Sequence, residues 1–375
     1  MNEKARCTAN DDRIVTVWDE HYFVQAATTN STTKQRRVVQ LAQAEGLLDV
    51  REVPFDAEAT WADIATVHDP AFVRAVRAGH PRRLAESQGF HWSPAFAESV
   101  ARIWNGHKAA CTLALTQGVV LHPVSGAHHA SYERGGGFCT FNYLVGGGRS
   151  LARRGIRPTA ILDFDAHAGD GTYALAKDDP GIVIFDIAQG NWITVAPDDR
   201  HEFYDVDNVD AYRAALKALP AFLDRTQPVL VQYQAGTDPY YDDPVGGIPG
   251  VDAEFLRFRD QFVIGHIVHR RIPLVINLAG GYLEDGTAER LHVETIRVAA
   301  ETLRRHRTRE LCSFDPETGT LTDEALHAGL LGDDIAPWDL DLDGIEQMTD
   351  AQLDNYIEEH CRRNYGAARP KPDST

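Results

Sequence analysis

The chain has 375 residues, 43% of them hydrophobic and 25% charged, a balance that suits a globular protein with a substantial core. A formal net charge of −18 at pH 7 excludes a general nucleic-acid binder, which needs a basic face to displace phosphate counterions. The five cysteines, Cys7, Cys111, Cys139, Cys312 and Cys361, are scattered and form no CxxC pair, which excludes a disulfide framework and a thiolate zinc knot.

Such cysteines fit a reducing cytoplasm. The opening "MNEKARCTANDDR" has no apolar core of a signal peptide, and no apolar run approaches the ~18 residues that cross a bilayer, so a cytoplasmic protein without a membrane partner is expected. The acidity favours a cationic small substrate, although surplus acid also serves solubility alone.

In chain order, helical spacing appears first at 34–48 and 70–78. No Pro/Gly/Ser-rich linker follows, so this region should pack on what comes next. Helical patterns over 94–117, 141–154, 211–225, 252–270 and 286–306 then alternate with apolar runs. The runs are "GVVLHPV" (118–124), "TAILDFD" (159–165), "GIVIFDI" (181–187), "PVLVQYQAG" (228–236) and "PLVINLAGG" (273–281). They are continuous rather than alternating, as in strands covered on both faces, and the order predicts one doubly wound parallel α/β sheet flanked by helices. Residues 1–310 should form this domain. An acidic, turn-rich extension over 311–366, with a helix at 349–362, should pack on it, and 367–375 should be a disordered tail.

Three strand ends carry groups of one kind. "AILDFDAHAGDGT" (160–172) runs from apolar residues into Asp163, Asp165, His167 and Asp170, and "AGTD" ends at Asp238. Ligands in open α/β sheets sit beyond the carboxyl ends of the strands. Residues two apart on extended chain share a side, so Asp165 and His167 can hold one metal, and three protein ligands leave a position open for chemistry. Taken alone, an Asp-x-His pair serves equally as a cap or a surface pair. "SGAHHASYERGGGFCTFN" (125–142) adds His128 and His129 before a Gly-rich turn, and "LAGGY" (278–282) adds Tyr282. Each is ordinary by itself. Together they supply a Lewis-acid site, a base and an oxyanion donor, the parts of metal-assisted amide hydrolysis.

These motifs resemble the zinc-dependent histone deacetylase family, which includes acetylpolyamine amidohydrolases. "GAHHASYERGGGFC", "DFDAHAGDGT", "AGTDPYYDDPVGG" and "AGGY" occur in the family's order over roughly residues 60 to 305, in wording closest to its class IV branch. The resemblance implies one Zn2+ per chain on Asp165, His167 and Asp238. It implies His129 as general base, His128 as its electrostatic partner, Asp170 and Asp163 orienting them, and Tyr282 as donor to the substrate carbonyl. Gly137, Phe138 and Gly280 would be wall and floor of the substrate slot. A structural monovalent cation, K+, is implied near Asp163, Asp165 and His167, with looser contacts around Asp186. The substrate would be an acylated small amine, such as a polyamine, or an acyl-lysine.

The chain departs from the pattern at Ala168, where many members have a second histidine, and at Asp170, where several have Asn; the latter should make His129 more basic. "NWITVAPDD" (191–199) does not reproduce the usual aromatic wall, and Trp192 stands in for it. "ATTNSTTKQ" (27–35) lacks the family's His-Pro segment. Two other readings stand beside the deacylase: a two-metal, arginase-type ureohydrolase, whose Asp-x-Asp pair "GTDPYYDDP" does not reproduce, and a homologue that binds without turnover. The sequence leaves acyl length, the amine, the oligomeric state and the choice between zinc and ferrous iron open.

Overall fold

Eight strands, all parallel, make one sheet among the described residues: β1 (Ile14–Val17), β2 (Leu48–Arg51), β3 (Val119–His122), β4 (Thr159–Asp163), β5 (Ile182–Ala188), β6 (His201–Asp205), β7 (Leu230–Gln234) and β8 (Leu274–Asn277). Their order is β2-β1-β3-β8-β7-β4-β5-β6. The computed structural model describes residues 13–24, 30–190, 193 and 200–312, with side chains as far as 306. It divides into two compact units, Met1–Leu303 and Arg304–Thr375. The helix expected at 349–362, the tail at 367–375 and nearly all of the extension at 311–366 lie outside the described residues.

The five strands predicted from continuous apolar runs, β3, β8, β7, β4 and β5, are contiguous at the centre of the sheet. Every residue of each is buried, as strands covered on both faces require. The strands missing from the sequence reading lie outside this block. β2 ("LDVR") and β6 ("HEFYD") are edges with half-exposed polar positions, and β1 ("IVTV") lies between β2 and the central block, buried along its whole length.

Local chemistry sets the helix ends. Ser93 caps Pro94–Gln117 by accepting the Phe96 N–H, Asp69 caps Pro70–Ala78, and Asp252 caps Ala253–His269, each satisfying an N–H that the first turn leaves unpaired. Two expectations are corrected. The helix predicted over 34–48 is Lys34–Ala44, because the chain turns at Gly46 and Leu48 opens β2. The helix predicted over 211–225 is two, Val209–Leu216 and Leu219–Thr226. Pro220 has no N–H for an unbroken helix and sits instead in the first turn of the second.

Register places five polar residues in one row at the carboxyl ends of the central strands. His122 pairs with Asn277, Asn277 with Gln234, Gln234 with Asp163, and Asp163 with Asp186. All five are buried. The segments that carry the motifs leave the sheet just beyond this row.

Behind it the core is aromatic. Phe185 on β5 packs against Phe164, Tyr204 and Phe222 with ring centroids 5.2–5.8 Å apart and is fully buried. Phe185→Ala is expected to cost roughly 3–5 kcal/mol, read as a lower denaturation midpoint at unchanged slope. A loss under about 1 kcal/mol would mean the cluster does not bear on stability.

Candidate metal centre and active site

Asp165 leaves β4 two residues past its end, and Asp238 leaves the neighbouring β7 four residues past its end. His167 follows Asp165 and turns its Nδ1 to both, 3.1 Å from Asp165 Oδ1 and 3.1 Å from Asp238 Oδ2. One ligand atom from each of the three lies within 4.8 Å of the others. The other ring nitrogen, Nε2, donates to the Val245 carbonyl at 3.2 Å, which leaves the Nδ1 lone pair for a cation.

Backbone N–H groups hold the carboxylates as well. Gly280 donates to Asp165 Oδ2 (2.9 Å) and Ala166 to Asp238 Oδ1 (3.1 Å). Gly280 has no room for a side chain, since a Cβ would stand 2.5 Å from both carboxylates. Beneath them the buried Arg259 guanidinium donates to the carbonyls of Phe164 (3.2 Å) and Gly236 (2.7 Å), fixing the backbone that enters each ligand.

The electrostatics are those of a site built for positive charge. Burial, then the Asp165 charge, push the Asp238 carboxyl up to about 7. Against the cost of burial, the charges on His128 and His167 hold Asp165 well below the usual carboxylate range. Hydrogen bonds donated to the Asp165 and Asp238 carboxylates favour the charged ring and raise His167 to about 11. A divalent cation fits this oxygen, nitrogen, oxygen donor set in place of the shared protons.

The tandem histidines come from the loop after β3. His128 Nδ1 donates to Asp163 Oδ2 at 3.0 Å and His129 Nδ1 to Asp170 Oδ1 at 2.7 Å. His128 Nε2 lies 3.7 Å from Asp165 Oδ1, and the His129 ring is 6.0 Å from that of His167. Burial disfavours charge on His128, but Asp163 and Asp165 overcome it and raise its pKa to about 10. Burial and the His128 charge lower His129, against the pull of Asp170.

Gly137 adopts φ +46°, and a Cβ there would run into the His129 ring, so the turn needs glycine. It aims Phe138, whose ring stacks on Phe90 and lies 5.8 Å from that of Tyr282. His128, Gly137, Phe138, Asp165, Gly280 and Tyr282 line one recess. Burial, then Asp165 and Asp238, hold the Tyr282 phenol well above its usual value, so it remains a donor. Trp192 lies outside the described residues.

The structure adds residues that the motifs did not flag. Asp243 accepts the Tyr282 N–H (2.7 Å) and the N–H groups of Val245 and Gly246. Lys34, wholly buried, donates Nζ to the carbonyls of Ala279 (2.9 Å) and Gly281 (2.8 Å). Asp243 stood in the quoted "DDPVGG"; Lys34 stood in a polar run that gave no sign of burial.

A family model described as the histone deacetylase domain matches residues 28–194. An uncharacterized protein of Picosynechococcus is 26% identical over 287 residues, which are 73% of this chain and 91% of that protein. Histone deacetylase 2 of Arabidopsis thaliana is 28% identical over 68% of this chain and 69% of its own length. Polyamine deacetylase HDAC10 of Rattus norvegicus is 24% identical over 60% of this chain and 44% of its own length.

Elemental analysis of the purified protein is expected to give one divalent ion per chain, and His167→Ala to lose it. Saturation at about 100 times Kd should add about 2.7 kcal/mol of stability, read as a fall in Tm on chelation. A Tm indifferent to metal and chelator would show that the triad is not a metal site.

Proposed function

We propose, from the premise that the chain belongs to the histone deacetylase family, that it is a zinc-dependent amidohydrolase removing an acyl group from an amine. The observation that carries this reading is the pairing of each tandem histidine with its own carboxylate beside three metal-ligating side chains. Zinc held by Asp165, His167 and Asp238 would supply Lewis acidity, polarising the substrate carbonyl and acidifying a water.

The chain's own residues do the rest. Asp170 holds His129 with Nε2 free, and the imidazole is neutral near pH 7 because burial and the His128 charge keep its pKa low. It takes the proton of the attacking water at Nε2 and later delivers it to the leaving nitrogen. His128 keeps its proton under the charge of Asp163 and Asp165 and offers a fixed positive charge to the developing anion. Tyr282 donates its hydroxyl to the carbonyl oxygen as negative charge builds there. Phe138 and Gly137 form the wall along which the acyl amine enters.

The described residues hold one group of three metal-ligating side chains, which favours one metal over the two of a ureohydrolase. The carboxyls of Asp163 and Asp186 support a K+ beside the site. Gly169 donates to Asp186 Oδ2 at 2.8 Å, Oδ1 is buried without a hydrogen-bond partner, and burial and the Asp163 charge hold the Asp186 carboxyl well above its usual range. The net charge of −18 and the polyamine deacetylase among the relatives favour a cationic amine. Among the described residues no helix is long and apolar enough to cross a membrane. An apolar cavity lined by Phe90, Phe96 and Phe141 shares Ser31, Ser125, Gly126 and Phe138 with the recess, so the acyl chains tested should range in length.

The test is hydrolysis of acetylated polyamines, acetyl-lysine peptides and longer acyl-lysine peptides by the zinc-loaded protein. Tyr282→Phe should lower kcat by about 10²–10³-fold, roughly 2.7–4 kcal/mol, with zinc still bound. Unchanged kcat in the variant, or no turnover of any substrate, refutes the reading.

The pH profile adds an independent check. His129 acts as base only when neutral, so kcat/KM falls as pH drops through its pKa, which lies below the ordinary 6.5. Asp170 raises that pKa, so Asp170→Asn should move the acid limb to lower pH. It should also reduce kcat by about 10–100-fold through the lost orientation. An acid limb that stays in place would remove His129 from the role of base.

A further inference from the structure

Lys34 carries a buried ammonium that the chemistry above does not use. It begins the helix Lys34–Ala44, yet its Nζ lies at the turn after β8, on the carbonyls of Ala279 and Gly281. That turn is conformationally costly. Ala279 stands at φ +57° and Gly281 at φ +138°, the first a region that side chains with a Cβ disfavour. A Cβ on Gly281 would collide with Thr237 Oγ1, and it would lie 3.2 Å from His292 Nε2 and 3.4 Å from Lys34 Nζ.

The turn is held at every backbone group from 279 to 282 except the last carbonyl and one N–H. Val124 accepts the Ala279 N–H at 3.2 Å, and Thr237 donates its N–H to the Gly280 carbonyl at 3.0 Å. Asp165 accepts the Gly280 N–H and Asp243 the Tyr282 N–H. Lys34 supplies the donors for the two remaining carbonyls. Without it, two buried acceptors would lose their partner, which is the condition a strained turn does not tolerate. The ammonium also stands 5.4 Å from the centroid of the Tyr282 ring, where its attraction to the ring face restrains the phenol.

We propose that Lys34 is a positioning residue for Tyr282, its ammonium fixing the Ala279–Gly281 turn so that the phenol hydroxyl meets the substrate carbonyl. This rests on the reading of Tyr282 as the oxyanion donor. Burial works against the Lys34 charge and lowers its pKa to about 8, while Asp238, Asp165 and Asp243 favour the charged form. The lysine therefore serves two neighbours, the turn by hydrogen bonds and the ligand carboxylates by charge.

The experiment compares Lys34→Met, Lys34→Arg, Tyr282→Phe and the double variant Lys34→Met/Tyr282→Phe, all zinc-loaded. Lys34→Met should lower kcat about tenfold or more with KM nearly unchanged, and the same substitution should cost less than about twofold once the Tyr282 hydroxyl is gone. Lys34→Arg, which keeps charge and two donors, should recover most of kcat. A second readout needs no substrate: in Lys34→Met, amide hydrogen exchange over residues 280–283 should quicken about tenfold while β4 stays protected. Wild-type kcat in Lys34→Met, an equal loss in the Tyr282→Phe background, or unchanged exchange over 280–283 would each overturn the proposal. Absence of wild-type turnover on every acyl amine would instead overturn the amidohydrolase reading, and with it the role given to Tyr282.

Discussion

Two carboxylates shut off from water, Asp165 and Asp238, stand at the ends of adjacent parallel strands, and the surrounding structure follows from that crowding. Like charges ~4 Å apart repel by about 4 kcal/mol at an effective dielectric near 20, and each also loses its hydration. Protein hydrogen bonds alone do not offset this. The neighbourhood accordingly supplies the His167 ring, the His128 charge, the Lys34 ammonium and the N–H groups of Gly280 and Ala166. Burial and the Asp165 charge still hold the Asp238 carboxyl up, to about 7. A divalent cation between the two carboxylates would relieve their repulsion.

Only one edge of this fold can gather so many donors. In a parallel sheet all strands deliver their carboxyl ends to the same side, so loops from β3, β4, β7 and β8 converge although they are distant in sequence. The polar row His122, Asn277, Gln234, Asp163 and Asp186 marks where apolar strand gives way to chemistry. Arg259 then works from below. Tied to Asp260, which also accepts from Tyr233 and Thr295, it locks the backbone just before both ligands. A 1 Å drift in either loop would spoil a metal site, and a buried guanidinium bonded to both backbone segments and to Asp260 is a stiff way to prevent it.

How far this was legible in the sequence depended on distance along the chain. "DFDAH" announced itself because apolar residues run straight into charge, and the five central strands were legible because they are apolar throughout. The edge strands β2 and β6 were not, since their half-exposed positions carry the same residues as loops. The pairing of His128 with Asp163 and His129 with Asp170 came from family resemblance, and spacing alone would not have assigned it. Lys34 was illegible for a physical reason: a lysine among threonines and serines reads as solvated. Its burial is created by a turn about 245 positions away, an interaction that no local pattern encodes.

The tandem histidines show what tertiary context adds to a dipeptide. Both are imidazoles with a carboxylate on Nδ1, and in sequence nothing separates them. His128 lies deeper, 3% exposed against 22% for His129, and faces Asp163 and Asp165, so it is held charged. Its rings stand 4.1 Å from those of His129, and that charge is one of the causes holding His129 low. Placing two identical groups side by side thus drives their pKa values apart, His128 upward and His129 downward. Adjacency in sequence is a simple way to secure that separation, and the Asp170 carboxylate on the second histidine opposes the depression by its neighbour.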